Sequence, residues 1–260
     1  MAFVNNGKVG CMISDIVNWM NEYLENASLR CFVVGVSGGI DSAVTSTLAA
    51  KTKKPVYVLN MNIHQADDQV DLGLMHMNWL ESNFTNVRSL EFNLTDVFDS
   101  FSGLFDDEFT SDLSLASSRS RLRMMVLYQI SSSKNGLVVG TGNKIEDFGV
   151  GFFTKYGDGG VDISPIADLY KSEVYDLAKE LKIIDEIQSA VPTDGLWNDG
   201  RTDEEQLGAS YEELEWVMTN GEMGSVSDVR KDAVVDIYRL FYTKNNHKMV
   251  PIPVFRRVDI

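Results

Sequence analysis

CFVVGVSGGIDSAVTSTLAAKT, residues 31–52, reads as a strand, a tight loop and a helix in immediate succession. CFVVGV (31–36) is a short, unbroken, β-branched apolar run, the pattern of a strand covered on both faces in a parallel sheet. In SGGIDS (37–42), Gly38 and Gly39 carry no Cβ, so the turn can reach φ > 0 and bring its amides close to an anion. The helix AVTSTLAAKT adds free N–H groups and the positive end of its dipole. Ser37 and Ser42 supply hydroxyl donors. Asp41 is out of place in an anion site unless a divalent cation bridges it to the phosphates. Together these residues point to a magnesium pyrophosphate.

Outward from this stretch, similar apolar runs recur as PVYVLNM (55–61), VRSLEFNL (87–94) and GLVVGT (136–141). They alternate with helical patterns at 42–52, 65–83 and 115–133, and an amphipathic helix at 12–26 precedes them, with Met12, Ile13, Ile16, Trp19, Met20 and Tyr23 at helical spacing. Such alternation predicts an α/β fold: an open parallel sheet with helices on both faces and a ligand at the carboxyl ends of the strands. The last third predicts helices at 171–183, about 203–219 and about 227–245. TDGLWNDGRTDE, rich in Gly, Asp and Asn, predicts a mobile loop or lid over 194–208. With 260 residues, 44% hydrophobic, and no Pro/Gly/Ser-rich linker or internal repeat, the expectation is one domain over 1–260.

Net charge is −15, from 38 acidic against 23 basic residues, which disfavours nucleic acid and anionic lipid as partners because the phosphate term is repulsive. An anionic ligand then needs a local basic cluster. No run approaches the 18 or so apolar residues of a membrane span, and MAFVNNGKVG has no leader pattern. Cys11 and Cys31 have neither disulfide-framework nor metal spacing, which points to a reducing, cytoplasmic setting. His64 and His76 lack paired ligand spacing and read as surface or core-edge residues. The methionines of MHMNW (75–79) and RMMVLYQI (123–130) read as core or subunit interface rather than a cofactor site.

The full SGGxDS in its strand, loop and helix context resembles the PP-loop of the ATP pyrophosphatases, which cleave ATP to AMP and pyrophosphate. It does not match GxxxxGK[ST], since the loop has no lysine. A second segment, GLVVGTGNKIEDFGVGFFTKYGDGGVDISPIADLYKSE (136–173), makes the resemblance specific. With its GT-x-N-x-x-E, GFFTK-x-GDGG-x-D and LYK strings, together with RLRM (121–124), VPT (191–193) and NHK (246–248), the chain closely resembles ammonia-dependent NAD synthetases over roughly residues 12–255. It departs from their usual pattern at Ser117, where many relatives carry Asn, and near His64 and Gln65, where the chain is shorter.

The resemblance implies a Rossmann-like adenine-nucleotide alpha-hydrolase fold, a homodimer with the dinucleotide site at its interface, and no amidase domain. It also implies the ligase reaction by which deamido-NAD is amidated to NAD with ammonia, ATP being the co-substrate and Mg2+ the cofactor. Carried over by position, Gly35, Val36, Ser37, Gly38, Gly39, Ile40, Asp41 and Ser42 would hold the ATP phosphates, joined by Thr141, Lys171 and Thr193. Asp41 and Glu146 would hold the metal. Arg121, Lys155, Asp162, His247 and Lys248 would face deamido-NAD, three cations suiting its pyrophosphate and a carboxylate suiting hydroxyl or amine donors. Asp41, Glu146, Lys171 and Asp158 form the implied catalytic set, Asp158 steering ammonia or else capping its own turn. The rivals are another PP-loop enzyme, tRNA-modifying or GMP-forming, and a non-catalytic adenine-nucleotide-binding protein, which would have no need of the Asp41 and Glu146 pair.

Overall fold

Four strands, β1 (Cys31–Gly35), β2 (Val56–Asn62), β3 (Val87–Asn93) and β4 (Gly136–Val139), pair in parallel in the order β3-β2-β1-β4. The computed structural model describes residues 6–65, 67–193, 195, 201–221 and 228–257. β1 pairs with β2 on one side, Phe32 beside Val56, and with β4 on the other, Cys31 beside Gly136. Strand order therefore reverses between β1 and β4, and the carboxyl end of β1 opens into the crevice that such a switch creates.

Successive residues of the central strands face opposite layers, which is why their sequence is continuously apolar. Phe32, Val34, Val56, Val58, Leu137 and Val139 join one core with α1 (Asn6–Asn26), α2 (Ile40–Lys51), α3 (Asp67–Asn83) and α6 (Lys171–Glu180). Val33, Leu59, Met61 and Val138 join a second core on the opposite face, with Phe98 of α4 (Thr95–Ser102) and Met124 and Leu127 of α5 (Asp112–Lys134). The expected open parallel sheet with helices on both faces is what the chain forms.

A third core gathers Leu207, Tyr211, Leu214 and Val234 against Ile145 and Val150. These come from α8 (Asp203–Leu207), α9 (Tyr211–Asn220), α10 (Val229–Met249) and a π-helical turn at 145–150; α7 (Asp185–Ser189) precedes them. The single helix expected over 203–219 is two, parted at Gly208, whose φ of +76° ends α8. Of the expected loop at 194–208, residues 203–207 are thus helical, while 194 and 196–200 lie outside the described residues.

Two smaller expectations change, and a third, on the methionines, holds in part. His76 is fully buried, where a surface or core-edge position was expected: its Nε2 lies 3.0 Å from Ser46 Oγ and its ring stacks on Trp79. Trp19 and Tyr23, expected on the inner stripe of α1, are 42% and 43% exposed and pack on each other. Met77 and Met124 are core, whereas Met75 and Met125 are exposed.

Candidate active site

β1 runs out at Gly35 and the chain turns through Ser37–Gly39 into α2. Gly38 takes φ of +92°, a conformation that strains any residue with a Cβ, whereas Gly39 sits at −79°. The serines hold the turn shut. Ser42 Oγ donates to the Gly39 carbonyl at 2.8 Å and accepts from the Ser37 amide at 3.2 Å, and Ser37 Oγ accepts from the Gly39 amide at 3.2 Å. Asp41 then falls in the first turn of α2, beside the positive end of its dipole.

The second wall begins after β4. Asn143, fully buried, accepts from the amides of Ile145 and Glu146 at 3.1 and 3.2 Å and donates to Asp41 Oδ1 at 3.4 Å. One side chain therefore both starts the π-helical turn and ties it to the phosphate loop; such turns recur at functional sites. Glu146 is carried on that turn. Lys171, the first residue of α6, reaches both acids: its Nζ lies 2.5 Å from Asp41 Oδ2 and 3.4 Å from Glu146 Oε1. Only 4% of Lys171 is exposed, so it is no surface charge. Burial would lower its pKa, but Asp41 and Glu146 more than offset that and hold it above the usual lysine value. Burial pushes the Glu146 carboxyl up, with Lys171 opposing.

Gly35 through Ser42, Thr141, Glu146, Asp158, Lys171 and Thr193 line one cleft. The loop segment that follows is clasped at its neck: Thr193 Oγ1 donates to the Arg201 carbonyl at 3.2 Å, and the Asp203 amide to the Pro192 carbonyl at 3.2 Å. Asp158 Oδ1 accepts from Ser120 Oγ at 2.6 Å and from the Thr154 amide at 3.1 Å, so this carboxylate caps its own turn while bordering the cleft.

The remaining predicted residues lie outside the cleft lining. Arg121 Nε donates to the Lys155 carbonyl at 3.2 Å, Lys155 Nζ to the His247 carbonyl at 2.9 Å, and Lys248 Nζ to the carbonyls of Gly151 and Phe153. Arg121 of α5, Lys155, and His247 and Lys248 of α10 are thus brought together along the 151–156 segment, His247 through its backbone carbonyl. Asp162 stands apart, at the sheet end of β4, with Tyr128 and the Val138 amide as its donors at 2.9 and 2.7 Å.

Sequence reasoning missed several residues that line the cleft or hold those that do. Arg123 lines it, its Nε donating to the Met61 carbonyl at 2.9 Å; RLRM contained it, but only Arg121 was assigned. Asn143 was present in GT-x-N without a role. Asp147 also borders the cleft, and burial, with Glu146, Asp158 and Asp41 adding to it, pushes its pKa up to about 8. Tyr211 and Asp203 come from a distant helical run that gave no signal of a site.

The donor set fits a small hard cation. Asp41 and Glu146 converge on one cationic group, and among the described residues no cluster of three or more His, Cys, Asp or Glu completes an all-protein cage, so the remaining ligands would be phosphate oxygens and water. Fold and site together place the chain in the α/β PP-loop class, with the Ser37–Ser42 loop at the switch point of a parallel sheet.

The sequence profile described as NAD synthase matches residues 12–251, and the chain belongs to that family. An NH(3)-dependent NAD(+) synthetase from Carboxydothermus hydrogenoformans is 33% identical over 90% of this chain and 92% of its own. Among solved structures, NMN synthetase from Francisella tularensis superposes with a TM-score of 0.86 at 28% identity, covering 96% of this chain and 99% of that one. NH3-dependent NAD synthetase from Campylobacter jejuni gives 0.77 at 27%, covering 95% and 99%. Among the described residues no helix is long and apolar enough to cross a membrane.

Proposed function

We propose that the chain is a cytoplasmic, homodimeric ligase that amidates deamido-NAD to NAD with ammonia, consuming ATP. The observation carrying this reading is the meeting of Asp41, Glu146 and Lys171 beside the Ser37–Ser42 loop, in a chain of the NAD synthase family. A carboxylate is a poor electrophile. Attack of a nicotinate oxygen on the α-phosphorus gives an acyl-adenylate and expels pyrophosphate; ammonia then adds at the acyl carbon, AMP leaves, and the amine sheds its proton. The loop amides, Ser37 and Ser42 would orient the phosphates, and Lys171 would neutralise charge developing on them. Bound by Asp41 and Glu146, Mg2+ would supply charge neutralisation on the departing pyrophosphate. Arg121, Lys155, His247 and Lys248 would hold the substrate's phosphates, and Asp158 would steer ammonia.

The assay is direct: purified protein with ATP, Mg2+, ammonium and deamido-NAD, read for NAD, AMP and pyrophosphate. ADP formation, or AMP release indifferent to the dinucleotide, would refute the reading. Asp41→Asn is expected to abolish adenylation in a protein that still folds.

A second reading has its own support. The likeness to NMN synthetase, at a TM-score of 0.86, favours nicotinate mononucleotide as substrate. The carboxylate chemistry is the same and only the adenylate half is absent, so the ratio of kcat/KM for the two substrates decides between them.

A further inference from the structure

Glu146 owes its orientation to a residue from the other end of the chain. The Tyr211 hydroxyl donates to Glu146 Oε1 at 2.6 Å, and Lys171 Nζ lies over the same ring, 4.4 Å from its centroid. Asp203 Oδ2 lies 3.2 Å from that hydroxyl. Tyr211 and Asp203 are each only 6% exposed. The phenol is fixed from behind as well, because the Tyr211 amide donates to Glu204 Oε1 at 2.9 Å and the Thr202 and Glu205 capping box anchors α8. Tyr211 thus joins three groups of the cleft: a carboxylate through its hydroxyl, an ammonium through its ring face, and a second carboxylate at its edge.

Packing alone does not call for this arrangement. A phenylalanine would fill the third core equally well, and burying Asp203 so close to Glu146 is unfavourable for folding in its own right. Carboxylates that hold metals are characteristically fixed by a second hydrogen-bonding layer, which sets which oxygen faces the ion.

We propose that Tyr211 is a positioning residue for the reaction, aiming the Glu146 carboxylate and the Lys171 ammonium at the phosphate loop, with Asp203 holding the phenol on that line. This rests on the reading of Asp41 and Glu146 as the pair that takes a divalent cation together with the ATP phosphates.

The test is Mn2+ binding, followed by electron paramagnetic resonance, to the full chain with α,β-methylene-ATP and no dinucleotide. Tyr211→Phe, which keeps the ring, is expected to weaken Mn2+ about tenfold or more. Its ligand-free melting temperature should stay within about 2–4 °C of the wild type. In turnover, kcat should fall while KM for deamido-NAD holds. Asp203→Asn is expected to weaken Mn2+ in the same direction, and the double variant to be no worse than Tyr211→Phe, because Asp203 acts through Tyr211. Should Tyr211→Phe fail to fold, Asp203→Asn carries the test alone. Folded variants that bind Mn2+ within about twofold of the wild type would overturn the proposal, and additive losses in the double variant would overturn the part given to Asp203. A wild type that takes up no Mn2+ with the nucleotide would overturn the metal reading, and the positioning role with it.

Discussion

Lys171 balances the charge of the cleft, being 4% exposed between Asp41 and Glu146. Lys171→Met removes the ammonium and leaves two close carboxylates in a partly buried site, an uncompensated charge that costs about 3–5 kcal/mol. Since a cation can take the ammonium's place electrostatically, millimolar Mg2+ alone should raise the melting temperature of this variant more than that of the wild type. Equal stability and indifference to magnesium would mean that the carboxylates do not form a cation site. His76 gives a second prediction, on pH. Burial, opposed weakly by its contact with the Ala43 backbone, lowers its pKa to about 4, from 6.5 when unfolded. Between those values the unfolded chain binds a proton that the folded one does not. Stability therefore falls as pH drops from about 6.5 towards 4, by on the order of 3 kcal/mol from this group, and levels off below. His76→Gln, which keeps a partner for Ser46, should lose that portion of the pH dependence in urea unfolding at pH 4 and pH 7.

At the scale of the element, the two glycine-rich turns separate folding from ligand binding. A Cβ on Gly160 would stand 2.8 Å from Tyr156 Cα and 3.0 Å from Tyr156 C, backbone atoms that cannot give way. Gly160→Ala should therefore cost about 1–3 kcal/mol, seen as a lower urea midpoint, and should raise KM for deamido-NAD as the Lys155 segment shifts. A Cβ on Gly39, in contrast, meets only Ser37 Oγ at 3.4 Å. Gly39→Ala should keep stability within about 0.5 kcal/mol yet weaken ATP, because the Cβ stands where phosphate approaches; unchanged ATP affinity would place the phosphate elsewhere. The same contrast explains what was legible in the sequence. The central strands stood out because Phe32 to Val34 are covered on both faces, and the phosphate loop because its chemistry is local. The π-helical turn IEDFGV has no periodicity of its own and exists through Asn143. Gly208, with Ser210 and Glu213 in a capping box, did signal the break between α8 and α9, and the long apolar pattern concealed it. Tyr211 and His76 were unreadable because their partners lie 65 and 30 residues away.

For the molecule as a whole, the basic groups of Arg121, Lys155 and Lys248 stand on a chain of net charge −15, so the polyanionic substrate proposed above would be attracted where they are presented. Arg121 belongs to α5, which also exposes Leu113 and Met125, 64% and 63% accessible, just after the similarly exposed Leu104 and Phe109. Exposed apolar side chains on this helix and the segment before it are the surface proposed to meet a second copy. Met125 stands one helical turn from Arg121, a residue proposed for the dinucleotide. If α5 meets α5 of a second copy, the assembly should sediment near twice the 29.0 kDa chain mass. Leu113→Glu combined with Met125→Glu should then yield a monomer that retains ATP affinity and loses most of its affinity for deamido-NAD. A fully active wild-type monomer at micromolar concentration, or a charged double variant that remains dimeric, would place the substrate site within the single chain and leave the apolar face of α5 without this role.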